Sequence, residues 1–320
     1  MADSTEGDTD IQDLDLLAPA LIVLIAGLLI HSFIIGVNVT DWWKGRSVTP
    51  VDHIVTILGI SRMCVQCSIT LYVFLIRIYR KKLDSQRTVV NISTVYAFFA
   101  YANLWLTTLL SIVFYLKISN FHSRLFLYLR GMIVHRIVYF IVAAVLLSTI
   151  SCLMPFIVGI PVEAKDGVNN KTINNLYKHC IYSKTLYNYI IVGSFPKLFS
   201  CVSSVLLFTS LYHHIIKMKM SSNLSINLEA YYAAMKFISF TFIYSIIYFV
   251  VQSVITLYYF FHCVNLIWLR IVLEFLPALH SSYLIYRTAK LRSQMFKVLQ
   301  NLIDFLLQRK ATETRGNIQM

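Results

Sequence analysis

Charge is scarce in this sequence. Only 13% of its 320 residues are Asp, Glu, Lys or Arg, about half the share carried by a soluble globular chain. With 58% hydrophobic residues and a mean hydropathy of +0.67, a single water-facing domain is excluded and the surplus apolar surface must face lipid. Cysteine is sparse too: the six present lack metal-type spacing, which argues against a disulfide scaffold or a metal centre. Cys64 and Cys67 imitate a CxxC but stand inside an apolar run, where they read as packing. HExxH, glycine-rich phosphate loops, nucleophile elbows and paired carboxylates are missing, so neither catalysis nor a cofactor is expected. His213-His214, at the inner end of an apolar run, reads as an interfacial cap. The net charge of +13 points to anionic lipid headgroups and not to nucleic acid.

Long apolar runs are what the chain has in abundance. Seven follow one another, near Leu16–Val39, Val51–Ile76, Val89–Leu116, Met132–Met154, Leu186–Tyr212, Tyr232–Phe261 and Leu266–Tyr286. Each reaches or approaches the roughly 20 residues needed to cross a bilayer, and lipid forces the backbone to pair within each segment, so helices are expected. The fourth to sixth runs hold little to break them except Pro196, which should kink the fifth. Repeats and low-complexity linkers are lacking. The reading is an all-α membrane protein: an acidic tail over 1–15, a seven-helix domain over 16–287, and an amphipathic helix with a tail over 288–320.

Charge placement orients the bundle. Residues 1–16 carry Asp3, Glu6, Asp8, Asp10, Asp13 and Asp15 with no Lys or Arg, placing this tail outside. Lys44, Arg46, Lys117, Arg124, Arg130, Lys217, Lys219 and the basic C-terminal segment then face the cytoplasm, as the positive-inside rule prefers. Arg77, Arg80, Lys81, Lys82 and Arg87 go against it, on the outer side where long side chains reach headgroups. The longest outer loop, 155–185, contains the glycosylation triplet Asn170-Lys171-Thr172. Cys180 and Cys263 also fall outside, and the sequence leaves their pairing open. Beyond Tyr286, Leu291, Met295, Val298, Leu302 and Phe305 recur at three- and four-residue steps, with Lys290, Arg292 and Lys297 off that stripe, the pattern of a helix lying on the inner leaflet.

Few ionisable groups stand within the runs, and charges at membrane depth are costly and need partners. Thr49, Pro50 and Asp52 mark the start of the second helix. Ten residues on, at about 1.5 Å each, Arg62 lies roughly 15 Å deep, near the midplane of a core about 30 Å thick. Without a carboxylate within a turn, its expected partners are Asn38 of the first run and His280 with Ser281 of the seventh. Such a knot either fixes register or rearranges with ligand. Arg270 and Glu274, one turn apart, either pair with each other or face a ligand cavity.

These residues carry a resemblance. The stretches "FIIGVNVTDWWKGRSVTPVDHIVTILGISR", "LWLTTLLSIVFYLKISNFHSRLFLYLR", "FPKLFSCVSSVLLFTSLYHHIIKM", "EAYYAAMKFISFTFIY" and "HSSYLIYRTAKLR", in this order, resemble the bitter taste receptors, the type 2 taste receptors among seven-helix G-protein-coupled receptors. The resemblance implies a multi-pass plasma-membrane receptor. Its implied partners are a small, mostly apolar bitter agonist, a gustducin-like heterotrimeric G protein acting through phospholipase C and calcium, and membrane lipids. It places Asn38, Arg62, His280 and Ser281 in the activation core. It places Tyr115, Lys117, Asn120, Phe121, His214, Lys236 and Lys290 on the G-protein face, and Tyr96, Ala97, Ala100, Tyr244, Ile247 and Arg270 around the agonist, where Glu274, one turn from Arg270, is expected to join them.

The sequence departs from the family pattern in its longer acidic tail, in Arg287-Thr288 for a Gly-Asn, in Lys197 after Pro196, in Tyr231 for a histidine and in Tyr96 where tryptophan is frequent. A vomeronasal type 1-like receptor is the related alternative, disfavoured by the Ser61-Arg62 pair and the HSSYLI stretch. A transporter or channel is the alternative of another class, and the paired helix breaks of many transporters are missing.

Overall fold

A computed structural model of the chain describes residues 4–78, 86–118, 124–159, 228–262 and 266–318, and most of 194–216. The described residues are all-α. The helices are α1 (Ser4–Trp43), α2 (Pro50–Ile78), α3 (Gln86–Ile118) and α4 (Arg124–Gly159), then α5 (Ser194–Ser210). They are followed by α6 (Leu228–His262), α7 (Ile267–Arg287) and α8 (Ala289–Ile318). Stretches of α1, α2, α3, α4 and α6 are long and apolar enough to cross a membrane. The 21 residues of α7 match a bilayer core at about 1.5 Å per residue, but Arg270 and Glu274 interrupt its apolar face.

Local chemistry sets the helix ends. At α2 the Asp52 carboxylate accepts from the Thr49 backbone N–H at 3.0 Å and hydroxyl at 2.9 Å, while the Asp52 N–H donates to Thr49 Oγ1 at 3.3 Å, a reciprocal cap. The α1 helix begins within the acidic segment, at Ser4, so part of what reads as a tail continues the first span; carboxylates in a first turn favour the helix dipole. Arg136 in α4 has φ −127° and ψ 29°, a break in a segment expected to be uninterrupted, and the sequence around it offers no explanation.

The packing departs from that of a soluble protein at its surface and in a polar belt inside. Apolar side chains point outward at helical spacing, as at Ile22, Ile25 and Leu29 of α1 and Tyr139, Val142, Leu146 and Ile150 of α4. Polar ones are buried between helices: His31, Arg62, Gln66, Asn103, Glu274, His280 and Ser281. Lipid supplies the solvent for the first set, and close packing with interhelical hydrogen bonds holds the second. An apolar core of Ile34, Ile54, Leu58, Leu106, Leu110 and Leu284 fills the half of the bundle next to α8. A second, of Tyr244, Tyr248, Ile255 and Leu273, joins α6 to α7. The polar belt lies between them. α1 packs on α2 and α7, α2 and α4 on α3, and α6 and α8 on α7.

At the belt α1 and α2 approach closely. A Cβ placed on Gly27 would run into the end of the Gln66 side chain, so a larger residue there requires that amide to shift. On α8, Leu291 is buried and Met295 packs on the first of these cores, whereas Phe296, Val298, Leu302 and Phe305 are exposed.

Candidate functional site

Arg62 is 2% exposed and held by uncharged groups. Its Nε donates to Asn103 Oδ1 of α3 at 3.1 Å, and its Nη1 to Ser281 Oγ at 2.6 Å and the Pro277 carbonyl at 3.4 Å, both on α7. Nη1 also lies 3.2 Å from His280 Nδ1. Hydrogen bonds from a guanidinium to neutral acceptors are charge-assisted, and the planar fork lets one side chain reach several elements.

Two relays lead outward. Ser281 Oγ lies 3.3 Å from His31 Nε2, and His31 Nδ1 lies 2.5 Å from the Gly27 carbonyl. His280 Nε2 lies 3.3 Å from Thr241 Oγ1, which donates to the Phe237 carbonyl at 3.0 Å. One tautomer assignment satisfies every step: Nδ1–H on His31, and Nε2–H on His280 with Nδ1 accepting from Arg62. A single cation thereby ties α2 to α3 and α7 directly, to α1 through His31 and to α6 through Thr241. Its Nη2 has no hydrogen-bond partner among the described residues, and its guanidinium carbon sits 6.0 Å from the centroid of the Tyr244 ring.

Asn38 stands elsewhere. Its amide donates to Thr56 Oγ1 at 3.0 Å and the Asp52 carbonyl at 3.4 Å, and its Oδ1 accepts from Lys290 Nζ at 3.1 Å. The expected Arg62–Asn38 contact is corrected: in the antiparallel α1–α2 pair Asn38 lies level with Thr56, and the α1 side chain that reaches the Arg62 cluster is His31, two turns away. Lys290, expected to face a G protein, is held within the bundle by Asp41 at 3.0 Å and Asp52 at 3.5 Å. Asp41 also binds Arg46 at 2.9 Å.

Beside the knot lies a cavity of about 340 Å³ between α3, α5 and α6. Asn103, Thr107 and Thr108 line it from α3, Phe195 and Leu198 from α5, and Tyr244, Ser245 and Phe249 from α6. None of the described lining residues is charged. Thr108 Oγ1 donates to the Pro196 carbonyl at 2.8 Å, tying α3 to α5 at the wall. Asn103 and Tyr244 belong to both structures: Asn103 accepts from Arg62, the Tyr244 ring lies 6.0 Å from the guanidinium carbon, and both line the cavity.

The expected agonist residues divide. Tyr244 lines the cavity. Ile247 is 44% exposed on the outer surface of α6, a correction that follows from helical phase: residues 244, 245, 246, 248 and 249 cover the cavity side of the helix, and at about 100° per residue position 247 falls on the opposite side. Ala100 is buried between helices and Ala97 half-buried, and neither lines the cavity. Tyr96, Arg270 and Glu274 form a separate cluster. The Tyr96 hydroxyl donates to Glu274 Oε1 at 3.2 Å and the Arg270 guanidinium stacks 5.6 Å from the Tyr96 ring centroid. No ion pair joins Arg270 to Glu274, whose Oε2 is buried without a hydrogen-bond partner among the described residues. The turn-apart pairing read from spacing is replaced by a tyrosine between α3 and α7.

Lys236 is exposed near the start of α6. Tyr115 and Lys117 fall in the last turns of α3. Asn120, Phe121, His214, Asn170, Cys180 and Cys263 lie outside the described residues. Sequence reasoning passed over Asn103 and His31, although an amide and an imidazole inside apolar runs are the signals that drew attention to Asn38 and His280.

The family model described as taste receptor protein (TAS2R) matches residues 12–303. Taste receptor type 2 member 7 of Papio hamadryas is 30% identical over 294 residues, covering 89% of this chain and 92% of the relative. The member 7 protein of Rattus norvegicus is 27% identical over 311 residues, 93% of this chain and 98% of its own length. Taste receptor type 2 member 125 of the same species is 27% identical, with 87% and 91% covered.

Proposed function

The chain belongs to the taste receptor protein (TAS2R) family, and on that footing we propose that it is a G-protein-coupled receptor of the plasma membrane that detects small, mostly apolar bitter compounds. The observation that carries this reading is the sharing of Asn103 and Tyr244 between the α3–α5–α6 cavity and the Arg62 knot. An agonist in that cavity meets the two side chains that steady the guanidinium. It therefore acts on the element that ties five helices.

Agonist shifts a population: it binds the active arrangement of the bundle more tightly and moves the balance by that difference in affinity. Moving a bundle from 1:99 to 99:1 takes about 5.5 kcal/mol of differential affinity, so a weakly polar ligand in an apolar cavity produces graded activation. Apolar walls discriminate poorly between similar molecules, roughly 1–3 kcal/mol per methylene, which suits a broad agonist range. The outer face is that of the acidic N-terminal segment. On the inner face the active bundle engages a gustducin-like heterotrimer, and phospholipase C and calcium release follow.

The test is expression with a gustducin-like G protein and a calcium reporter. Surface-displayed receptor answers to members of a panel of bitter compounds; silence across a broad panel, with surface display verified, overturns the reading.

A further inference from the structure

The inner end of α1 and the start of α8 diverge around a second cavity of about 270 Å³. Phe33 and Val37 of α1 face Val298 of α8 across it, and Gly36 leaves its wall open: a Cβ there meets nothing within 4 Å. At the mouth stand Asp41, Lys44, Arg46 and Gln294.

Three observations say what fits. The first is depth. Trp42 and Trp43 are 67% and 87% exposed, and indoles in that setting sit at the headgroup level, which puts Lys44 and Arg46, just beyond, in the phosphate plane. The second is charge. Lys44 is exposed and its ammonium has no partner among the described residues, while Arg46 is 59% exposed on its single carboxylate, Asp41. Asp41 is already neutralised by Lys290, so three cations, Lys44, Arg46 and Lys290, face two carboxylates, Asp41 and Asp52. The third is continuity: the exposed Leu302 and Phe305 of α8, on the same side of the helix as Gln294 and Val298, extend the apolar wall toward acyl chains.

We propose that this cleft holds one anionic phospholipid of the adjoining leaflet. Its phosphate rests on Lys44 and Arg46 with the Gln294 amide as a further donor, and one acyl chain runs past Gly36 between Phe33, Val37 and Val298. The apolar wall leading away from the cations selects a lipid over a free phosphate. Bound phosphate draws Arg46 from Asp41 and leaves that carboxylate to Lys290, tightening α8 against α1. The assignment stands apart from the agonist cavity and does not depend on which leaflet is cytoplasmic.

The experiment uses the purified full chain in nanodiscs of phosphatidylcholine alone or mixed with phosphatidylserine, with retained lipids counted by native mass spectrometry. Wild type retains phosphatidylserine in preference to phosphatidylcholine. Lys44→Gln with Arg46→Gln lowers that preference roughly thirtyfold, at about 1 kcal/mol for each of the two interfacial cations, while Lys44→Arg with Arg46→Lys keeps it. Gly36→Leu, which fills open space, lowers retention of both lipids. Phosphatidylserine retained equally by the double glutamine variant, retention unchanged by Gly36→Leu, or release of the lipid by inorganic phosphate each overturns the proposal.

Discussion

The Nη1 atom of Arg62 on α2 lies 2.6 Å from the Oγ atom of Ser281 on α7, and that hydroxyl lies 3.3 Å from His31 Nε2 on α1. Three helices meet through one serine, and the same guanidinium reaches a fourth through Asn103. A tether of this kind is sensitive to the shape of the cation more than to its charge.

Arg62→Lys is therefore expected to behave as a loss. An ammonium is a point donor and cannot span Asn103 and Ser281 together. Surface display should stay within about twofold of wild type, because transmembrane hydrogen bonds contribute only about 0.6 kcal/mol each on average. Calcium responses should fall for every agonist alike. Loss for some agonists with others untouched would make Arg62 a ligand contact instead.

Filling the cavity separates recognition from folding. Ser245 lines it, with its hydroxyl on the Thr241 carbonyl at 2.8 Å; Ser245→Phe should raise half-maximal agonist concentrations tenfold or more, about 1.4 kcal/mol, with surface display unchanged. Ile247→Ala, on the outer surface, should leave dose–response curves near wild type. Reversed outcomes would move the agonist site to the other flank of α6.

The close approach at Gly27 gives a test of packing. Gly27→Ala puts a methyl onto the Gln66 side chain, and overpacking costs typically about 1–3 kcal/mol. Gln66→Ala should recover much of that loss in a double-mutant cycle read by thermal unfolding in detergent. Independent, additive effects would show that the two helices part without strain.

Tyr96→Phe removes the hydroxyl on Glu274 Oε1 and leaves the carboxyl with one partner fewer, a cost of about 1–3 kcal/mol. Thermal unfolding should shift down, and Glu274→Gln in that background should move it back toward wild type, since an amide is cheaper to bury than a charged carboxylate. A further fall in the double variant would mean that the carboxylate is held by Arg270.

The sequence made much of this legible. Seven apolar runs define the bundle because lipid admits helices almost alone, and the Thr49–Asp52 start of α2 stands as its residues suggest. Arg62 with His280 and Ser281 could be paired because each is a polar group inside an apolar run at matching depth. Asn38 was misplaced by the stagger of α1 against α2, which sets Asn38 level with Thr56 and is not given by residue count. Ile247 was misplaced by helical phase, and the cavity was missed because its walls come from three helices whose apolar residues look alike whether they face lipid, core or a ligand. Asn103 links cavity and knot, yet in sequence it is one amide among apolar neighbours.

An agonist-bound structure determined by electron cryomicroscopy tests the central claim most directly. The account predicts ligand density between α3, α5 and α6 against Asn103 or Tyr244, with the 3.1 Å Arg62–Asn103 contact lengthened or exchanged. Agonist bound away from this cavity, with the contacts of Arg62 to Asn103, His280 and Ser281 unchanged in an active, G-protein-bound receptor, would contradict it.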